Sequence, residues 1–416
     1  FRRVLFRSTL FCMRDPEVFM RRSLSALALA TAGLVVLAAC GSKSGPTPAT
    51  EATKTAGDRV VTIGVISPQE AGLVDFGRGI LHSVELAVAE ANAAKAVPGW
   101  TIKVKALDDS SDADKGKAAA AEMIADDSVV AIVGPYNSGV SAAMLPELAA
   151  AGLTLISPSN TLTSLTLGDD LANPKRQYAN YFRMVGADDK QGVFLAEEAL
   201  KAGYKTVAVV SETKAVSKGL ADIFVAAFEQ RGGKVVVRQV VPDGASDFSA
   251  FITEASAQKP DLLFFGGEYP VAATLRKQAV AAALTVPVMG GDGIKDDALI
   301  AQAGADADGV LASSVGVPLT SMTSAASFLA AYEKAGFAHP SSPYGPYAYD
   351  AANAIIRSLP AALNNQTSPS AARSVLLKAL MTVTFNGASG EVAFDQYGDT
   401  LRPVFTLYVE IGRAHV

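Results

Sequence analysis

Three short loops in this 416-residue chain carry side chains able to grip a small charged solute. The first, Gly134-Pro135-Tyr136-Asn137-Ser138-Gly139, follows the apolar run Val129 to Val133 and opens a helical stretch. The second, Ser157-Pro158-Ser159-Asn160-Thr161, follows Leu153 to Ile156 and adds the hydroxyls of Ser159 and Thr161. The third, Gly290-Gly291-Asp292-Gly293, follows Val286 to Met289 and presents one carboxylate between glycines that let backbone approach a ligand closely. Hydroxyls and free N–H groups at a helix start suit a carboxylate, and Asp292 suits a cation. The Gly-x4-Gly spacing of the first loop is that of a phosphate loop. Val140-Ser141 stands where the Lys-Ser/Thr that reaches phosphate and metal would be, which argues against a nucleotide. Each loop also has a plainer reading, since Ser and Asn are favoured at caps and turns and turn aspartates are commonly solvated.

The elements that must position these loops alternate regularly. Strand-like runs at Val60 to Ile66, Ile102 to Leu107, Val129 to Val133 and Leu153 to Ile156 are separated by helical patterns at Gly79 to Ala94 and Ala113 to Asp126. The alternation restarts after Phe182, with helices at Asp189 to Ala202, Ser217 to Arg231, Phe248 to Gln258 and Pro270 to Ala283. Strands at Val207 to Val210, Val235 to Val241, Leu262 to Phe265 and Val286 to Met289 lie between and after them. Such βαβα order predicts an α/β fold of parallel sheets covered by helices, and two successive sets predict two lobes. Helical stretches at Ala325 to Ala335, Tyr347 to Leu363 and Ser370 to Leu380 follow, then strand-like Glu391 to Phe394 and Val404 to Val409. That order permits a chain that returns to its first lobe and crosses again.

Composition narrows the chemistry. Half the residues are hydrophobic and 19% are charged, with net charge −5, which suits a buried mixed fold and gives no electrostatic case for nucleic acid. Cys12 and Cys40 both precede the folded region, leaving it without disulfide, thiolate nucleophile or zinc–cysteine site. The body holds only His82 and His339, with no HExxH or GxSxG pattern, so no enzyme, metal or cofactor is expected. Asp108 and Asp109 read as a solvated turn ahead of Asp112.

Both ends carry an address and an anomaly. RVLFRS, Arg3 to Ser8, can be encoded by CGTGTGCTCTTCCGATCT, whose reverse complement, read in another phase, encodes the IGRAH of the tail. Residues 1–19 and 410–416 are therefore expected to be sequencing-adapter artefact. From Met20, MRRSLSALALATAGLVVLAACG has two arginines, an apolar run and small residues ending at Cys40, a secretory signal over 20–39 too short to span a membrane. Leu37-Ala38-Ala39-Cys40 resembles a bacterial lipobox, which implies acylation of Cys40. Residues 40–57, rich in Ser, Thr, Pro and Gly, read as a flexible tether. The artefact and signal carry four net positive charges, so the mature chain stands at −9.

The body, Asp58 to Val409, resembles the leucine/isoleucine/valine-binding protein family, the receptors of branched-chain amino-acid ABC importers. The landmarks are VDFGRGILHSVELAVAEAN, AIVGPYNSG, LISPSNT, FFGGEYP, PVMGGDG and PYAYDAAN, in that order. The resemblance implies a type I periplasmic-binding-protein fold. Lobe 1 would comprise 58–184 plus 316–390 and lobe 2 185–315 plus 391–409, with crossings near Arg183 to Ala187, Ala312 to Gly316 and Gly390 to Asp395. By position, Ser138, Ser159 and Thr161 would hold a ligand's α-carboxylate and amine, Asp292 would meet its ammonium, and Phe76 and Tyr344 would line the pocket. Val216 and Glu268 stand where the family has tyrosines, and the carboxylate of Glu268 leaves the ligand's side chain open. Implied with this are a monomer, lipid-anchored outside the cytoplasm, that closes around an amino acid of branched-chain type and passes it to an ABC permease. The alternative is the same fold binding an amide, urea or another small solute, for uptake or sensing.

Overall fold

The computed structural model describes residues 9–11, 59–71, 73–316, 318 and 321–410; Cys40, the signal segment, the tether and the last six residues lie outside them. Strand β1 (Thr9–Phe11) is followed by the first lobe, a five-stranded sheet of β2 (Arg59–Ser67), β3 (Trp100–Asp108), β4 (Val129–Val133), β5 (Thr154–Ser157) and β6 (Tyr181–Arg183). Its order is β3-β2-β4-β5-β6 and every pairing is parallel. Helices α1 (Val74–Ala93), α2 (Ala113–Ala125), α3 (Ser138–Ala150) and the short α4 (Ser164–Leu167) connect these strands.

Both faces of the sheet are covered, which is why β4 reads VVAIV with all five residues buried. Val61, Ile63 and Val65 of β2 pack into one cluster with Ile80 and Val84 of α1. Val129 and Ile132 of β4 turn to another, with Met123 of α2 and Met144 and Leu148 of α3. Each fully buried aliphatic side chain of this kind contributes about 1.5–3 kcal/mol.

The second lobe repeats the plan. Helices α5 (Asp188–Lys201), α6 (Ala215–Gln230), α7 (Ser249–Gln258), α8 (Tyr269–Ala281) and α9 (Asp297–Ala303) alternate with β7 (Thr206–Glu212), β8 (Lys234–Val241), β9 (Leu262–Phe265), β10 (Val288–Gly290) and β11 (Leu311–Val315). The chain then returns to the first lobe with α10 (Ala326–Ala335), α11 (Gly345–Ala362), α12 (Pro369–Leu380) and the hairpin β12 (Phe385–Gly387) and β13 (Gly390–Val392). Strand β14 (Phe405–Val409) crosses back and pairs antiparallel with β11, and β1 pairs antiparallel with β14. The second sheet is thus ordered β1-β14-β11-β10-β9-β7-β8, with β7 to β11 parallel.

The chain passes between the sheets three times. Of the passages that the resemblance implies, the one near Ala312 to Gly316 begins at Gly316, where the chain leaves β11 with φ +76°. The one near Gly390 to Asp395 follows the hairpin strand Gly390–Val392 and runs through the Phe394–Thr400 bridge. Arg183 fastens this region. Fully buried, it donates Nε to Asp399 Oδ1 at 2.5 Å and Nη1 to the Leu162 carbonyl at 2.9 Å, and its Nη2 bonds Thr166 Oγ1. One cation therefore ties the last crossing to the loop that follows β5.

Candidate functional site

The three loops do lie at the carboxyl ends of parallel strands, and the two lobes bring them face to face. Gly134 leaves β4 at φ +114°, and a Cβ there would sit 2.0 Å from the Ile66 carbonyl oxygen, so only glycine lets the chain turn this close to β2. The turn delivers Tyr136, Asn137 and Ser138 to the start of α3, whose first N–H groups have no partner inside the helix. Ser138 Oγ accepts the N–H groups of Thr161 and Leu162, each at 3.3 Å, and Ser159 Oγ donates to the Tyr136 carbonyl at 3.0 Å. Asn160, also buried, receives Ser141 Oγ at 2.5 Å and Tyr181 Oη at 3.0 Å on Oδ1. The first two loops are thereby one hydrogen-bonded unit.

The opposing wall comes from the second lobe. Asp292 follows β10 and is buried; Gln191 Nε2 of α5 donates to its Oδ1 at 2.9 Å, and Tyr344 Oη reaches across from the first lobe to its Oδ2 at 2.7 Å. Burial pushes the Asp292 carboxyl above the usual carboxylate range, with the Tyr344 and Gln191 bonds pulling it back. Asp188, at the start of α5, donates its backbone N–H to the Thr161 carbonyl at 2.7 Å, and both of its buried carboxylate oxygens lack a settled hydrogen-bond partner. Burial and the neighbouring Asp292 charge raise Asp188 to about 8.

One cleft is lined by Ser138, Ser159, Thr161, Asp292 and Glu268 together. Phe76 and Tyr344 stand outside that lining: Phe76 stacks on Tyr136, which does line the cleft, at 4.7 Å, and meets Tyr344 and the second-lobe Tyr269 edge-on. Val216 lines the cleft as an apolar wall. Glu268 takes Asn137 Nδ2 at 2.6 Å from the first lobe and Lys214 Nζ at 3.0 Å from its own. Burial works against the Lys214 ammonium, but Glu268 and Glu212 outweigh it and hold its pKa above the ordinary value.

Two of these contacts, Asn137 to Glu268 and Tyr344 to Asp292, join the two walls of the cleft directly. Among the described residues no group of His, Cys, Asp or Glu is placed to hold a metal ion, and no helix is long and apolar enough to cross a membrane.

Sequence reasoning passed over Tyr136, Asn137, Gln191, Asp188, Glu212 and Lys214. Asn137 and Tyr136 sat inside a loop already singled out, whereas Gln191 and Asp188 open a helix whose register gave no sign that it faces Asp292. Asp109, expected in a solvated turn, is buried, and desolvation lifts it to about 7.

A parallel five-stranded sheet, a seven-stranded sheet whose β7 to β11 are parallel, three crossings and a cleft of hydroxyls facing an acid define the fold of a two-lobed solute receptor. The family model described as periplasmic binding protein matches residues 60–410, and the chain belongs to that family. It is 32% identical over 237 residues to a Leu/Ile/Val-binding protein of Rhizobium johnstonii, an alignment covering 57% of this chain and 62% of that protein. The chain thus spans less than two thirds of that relative. Among solved structures, the branched-chain amino-acid substrate-binding protein of Streptococcus pneumoniae in complex with isoleucine matches with TM-score 0.73 and 25% identity, covering 84% of this chain and 95% of that one. A solute-binding protein of R. palustris in complex with benzoate shares the fold with TM-score 0.71 and 21% identity, covering 85% and 96%.

Proposed function

We propose that the protein is an extracytoplasmic solute-binding lipoprotein, anchored through Cys40, that captures an amino acid by clamshell closure and delivers it to an ABC permease. The observation that carries this reading is the convergence of Ser138, Ser159 and Thr161 from one lobe and Asp292 from the other on a single cleft. The Ser138 and Thr161 hydroxyls and the first turn of α3 receive the α-carboxylate, Ser159 holds the Tyr136 carbonyl beside them, and the Asp292 carboxylate meets the ammonium. Bonds to ionised groups of this kind contribute about 1.5–3 kcal/mol each. Closure is favoured because those bonds form only when both lobes touch the same molecule. The permease then distinguishes the closed form. The Leu/Ile/Val-binding relative of Rhizobium johnstonii and the isoleucine complex of the Streptococcus pneumoniae relative support an amino acid as the solute.

The hydrogen bonds that join the two walls, Asn137 to Glu268 and Tyr344 to Asp292, favour a second reading, in which the solute is a smaller amide or urea taken up or sensed through the same closure. A thermal-shift screen of the full chain against amino acids, small amides, urea and benzoate separates the two. The amino-acid reading expects the largest stabilisation from a zwitterion, and a shift produced by amides or benzoate alone would overturn it.

A further inference from the structure

The cleft lining carries further chemistry that the ligand's α-carboxylate and ammonium do not use. Glu212, at the end of β7, is fully buried and lines the cleft. Its Oε1 accepts the Gly244 N–H at 2.7 Å, while Oε2 has no hydrogen-bond partner. Asn137 lines the same cleft, and because its Nδ2 donates to Glu268 Oε1 at 2.6 Å, the orientation of its amide is fixed. That leaves Asn137 Oδ1 buried and also without a partner. Lys214 completes the group, its Nζ donating to Glu268 Oε2 at 3.0 Å. Val216 and Leu220 supply the apolar flank.

Both unsatisfied atoms are acceptors, so what each lacks is an N–H or O–H donor. A buried polar atom left unpaired costs about 1–3 kcal/mol, and an aliphatic ligand side chain would leave both in that state. Charge points the same way. Two carboxylates, Glu212 and Glu268, surround one ammonium, Lys214, and the excess negative charge favours a donor group over another acid.

We propose that the ligand's side chain ends in a nitrogen-borne donor group, a carboxamide, guanidinium or ammonium, that gives its N–H bonds to Glu212 Oε2 and Asn137 Oδ1. This rests on the amino-acid reading above and narrows it from aliphatic to donor-bearing amino acids. Val216 and Leu220 pack the side chain's stem, and the donor end displaces water from the two acceptors. Removing such a donor from the ligand leaves the site's acceptors unpaired, which is the situation in which binding sites discriminate most sharply.

Isothermal titration of the full chain with glutamine, arginine and lysine, beside leucine, isoleucine and valine, tests the proposal. At least one donor-bearing amino acid should bind ten-fold or more tightly than any of the three aliphatic ones. Glu212→Gln should reduce that preference for a cationic side chain at least ten-fold; if this variant does not fold, the wild-type comparison decides alone. Equal or tighter binding of leucine, isoleucine or valine would overturn the proposal and leave the amino-acid reading intact. Binding of butyramide, urea or benzoate with no response to any amino acid would overturn both.

Discussion

Asn137 of the first lobe and Glu268 of the second are joined by a 2.6 Å hydrogen bond between the two walls of the cleft. Lys214 holds the other oxygen of the same carboxylate, so the acceptor is fixed before Asn137 arrives. The bond is made only when the lobes are shut, and a ligand that parts them must offer something in exchange.

Asn137→Ala should therefore open the ligand-free protein. Small-angle scattering is expected to show a larger radius of gyration than wild type without ligand, and the same radius with saturating ligand. Loss of one bond to a charged group weakens closure by about 1.5–3 kcal/mol. An unchanged ligand-free radius would show that the bond does not hold the lobes.

Buried acids make stability depend on pH. Asp188 is raised to about 8, Asp109 to about 7 and Asp296 to about 6, each chiefly by burial. On raising the pH, the unfolded chain loses these protons first, near pH ~4, so the folded state binds more protons and stability falls with pH. The melting temperature of the ligand-free protein should drop between pH 5 and pH 8. Asp188→Asn should flatten the upper part of that drop, and a melting temperature that rises over this range would contradict the assignment.

Arg183 and Asp399 pair in the interior at the crossing, with side chains 0% and 8% exposed. Asp399→Ala leaves the guanidinium buried without its counter-charge and should cost about 3–5 kcal/mol in urea unfolding. Because Arg183 also holds the Leu162 carbonyl, ligand affinity should fall with it. A loss below about 1 kcal/mol would mean that the carbonyl contacts alone satisfy the cation.

Cys40→Ser should move the protein from the membrane fraction to the soluble fraction of cells that express it, without altering ligand binding, because Cys40 is not among the residues that line the cleft. Persistent membrane attachment would count against acylation at Cys40.

Much of the fold was legible because buried parallel strands are short apolar runs, and β4 and β9 were read to the residue. The strands β6 and β11 were not. YFR at β6 is three residues long, and LASSV at β11 carries two serines, so neither has an apolar signature although every residue is buried. In the site, Ser138, Ser159, Thr161 and Asp292 announced themselves by following strands. Glu212 and Lys214 did not: Glu212 ends a strand whose reading stopped at Val210, and its role depends on a Gly244 contact 32 residues away. Long-range pairing of that kind leaves no period in the sequence.

The central claim is that a zwitterion is held between hydroxyls of one lobe and the Asp292 carboxylate of the other, and calorimetric titration of Asp292→Ala tests it most directly. With the amino acid that gives the largest thermal shift, affinity should fall by about 30-fold or more, since truncating one partner of a buried charge pair costs 2–5 kcal/mol. The ligand-free melting temperature should stay within a few degrees of wild type. Affinity within about three-fold of wild type in a folded variant would contradict the claim.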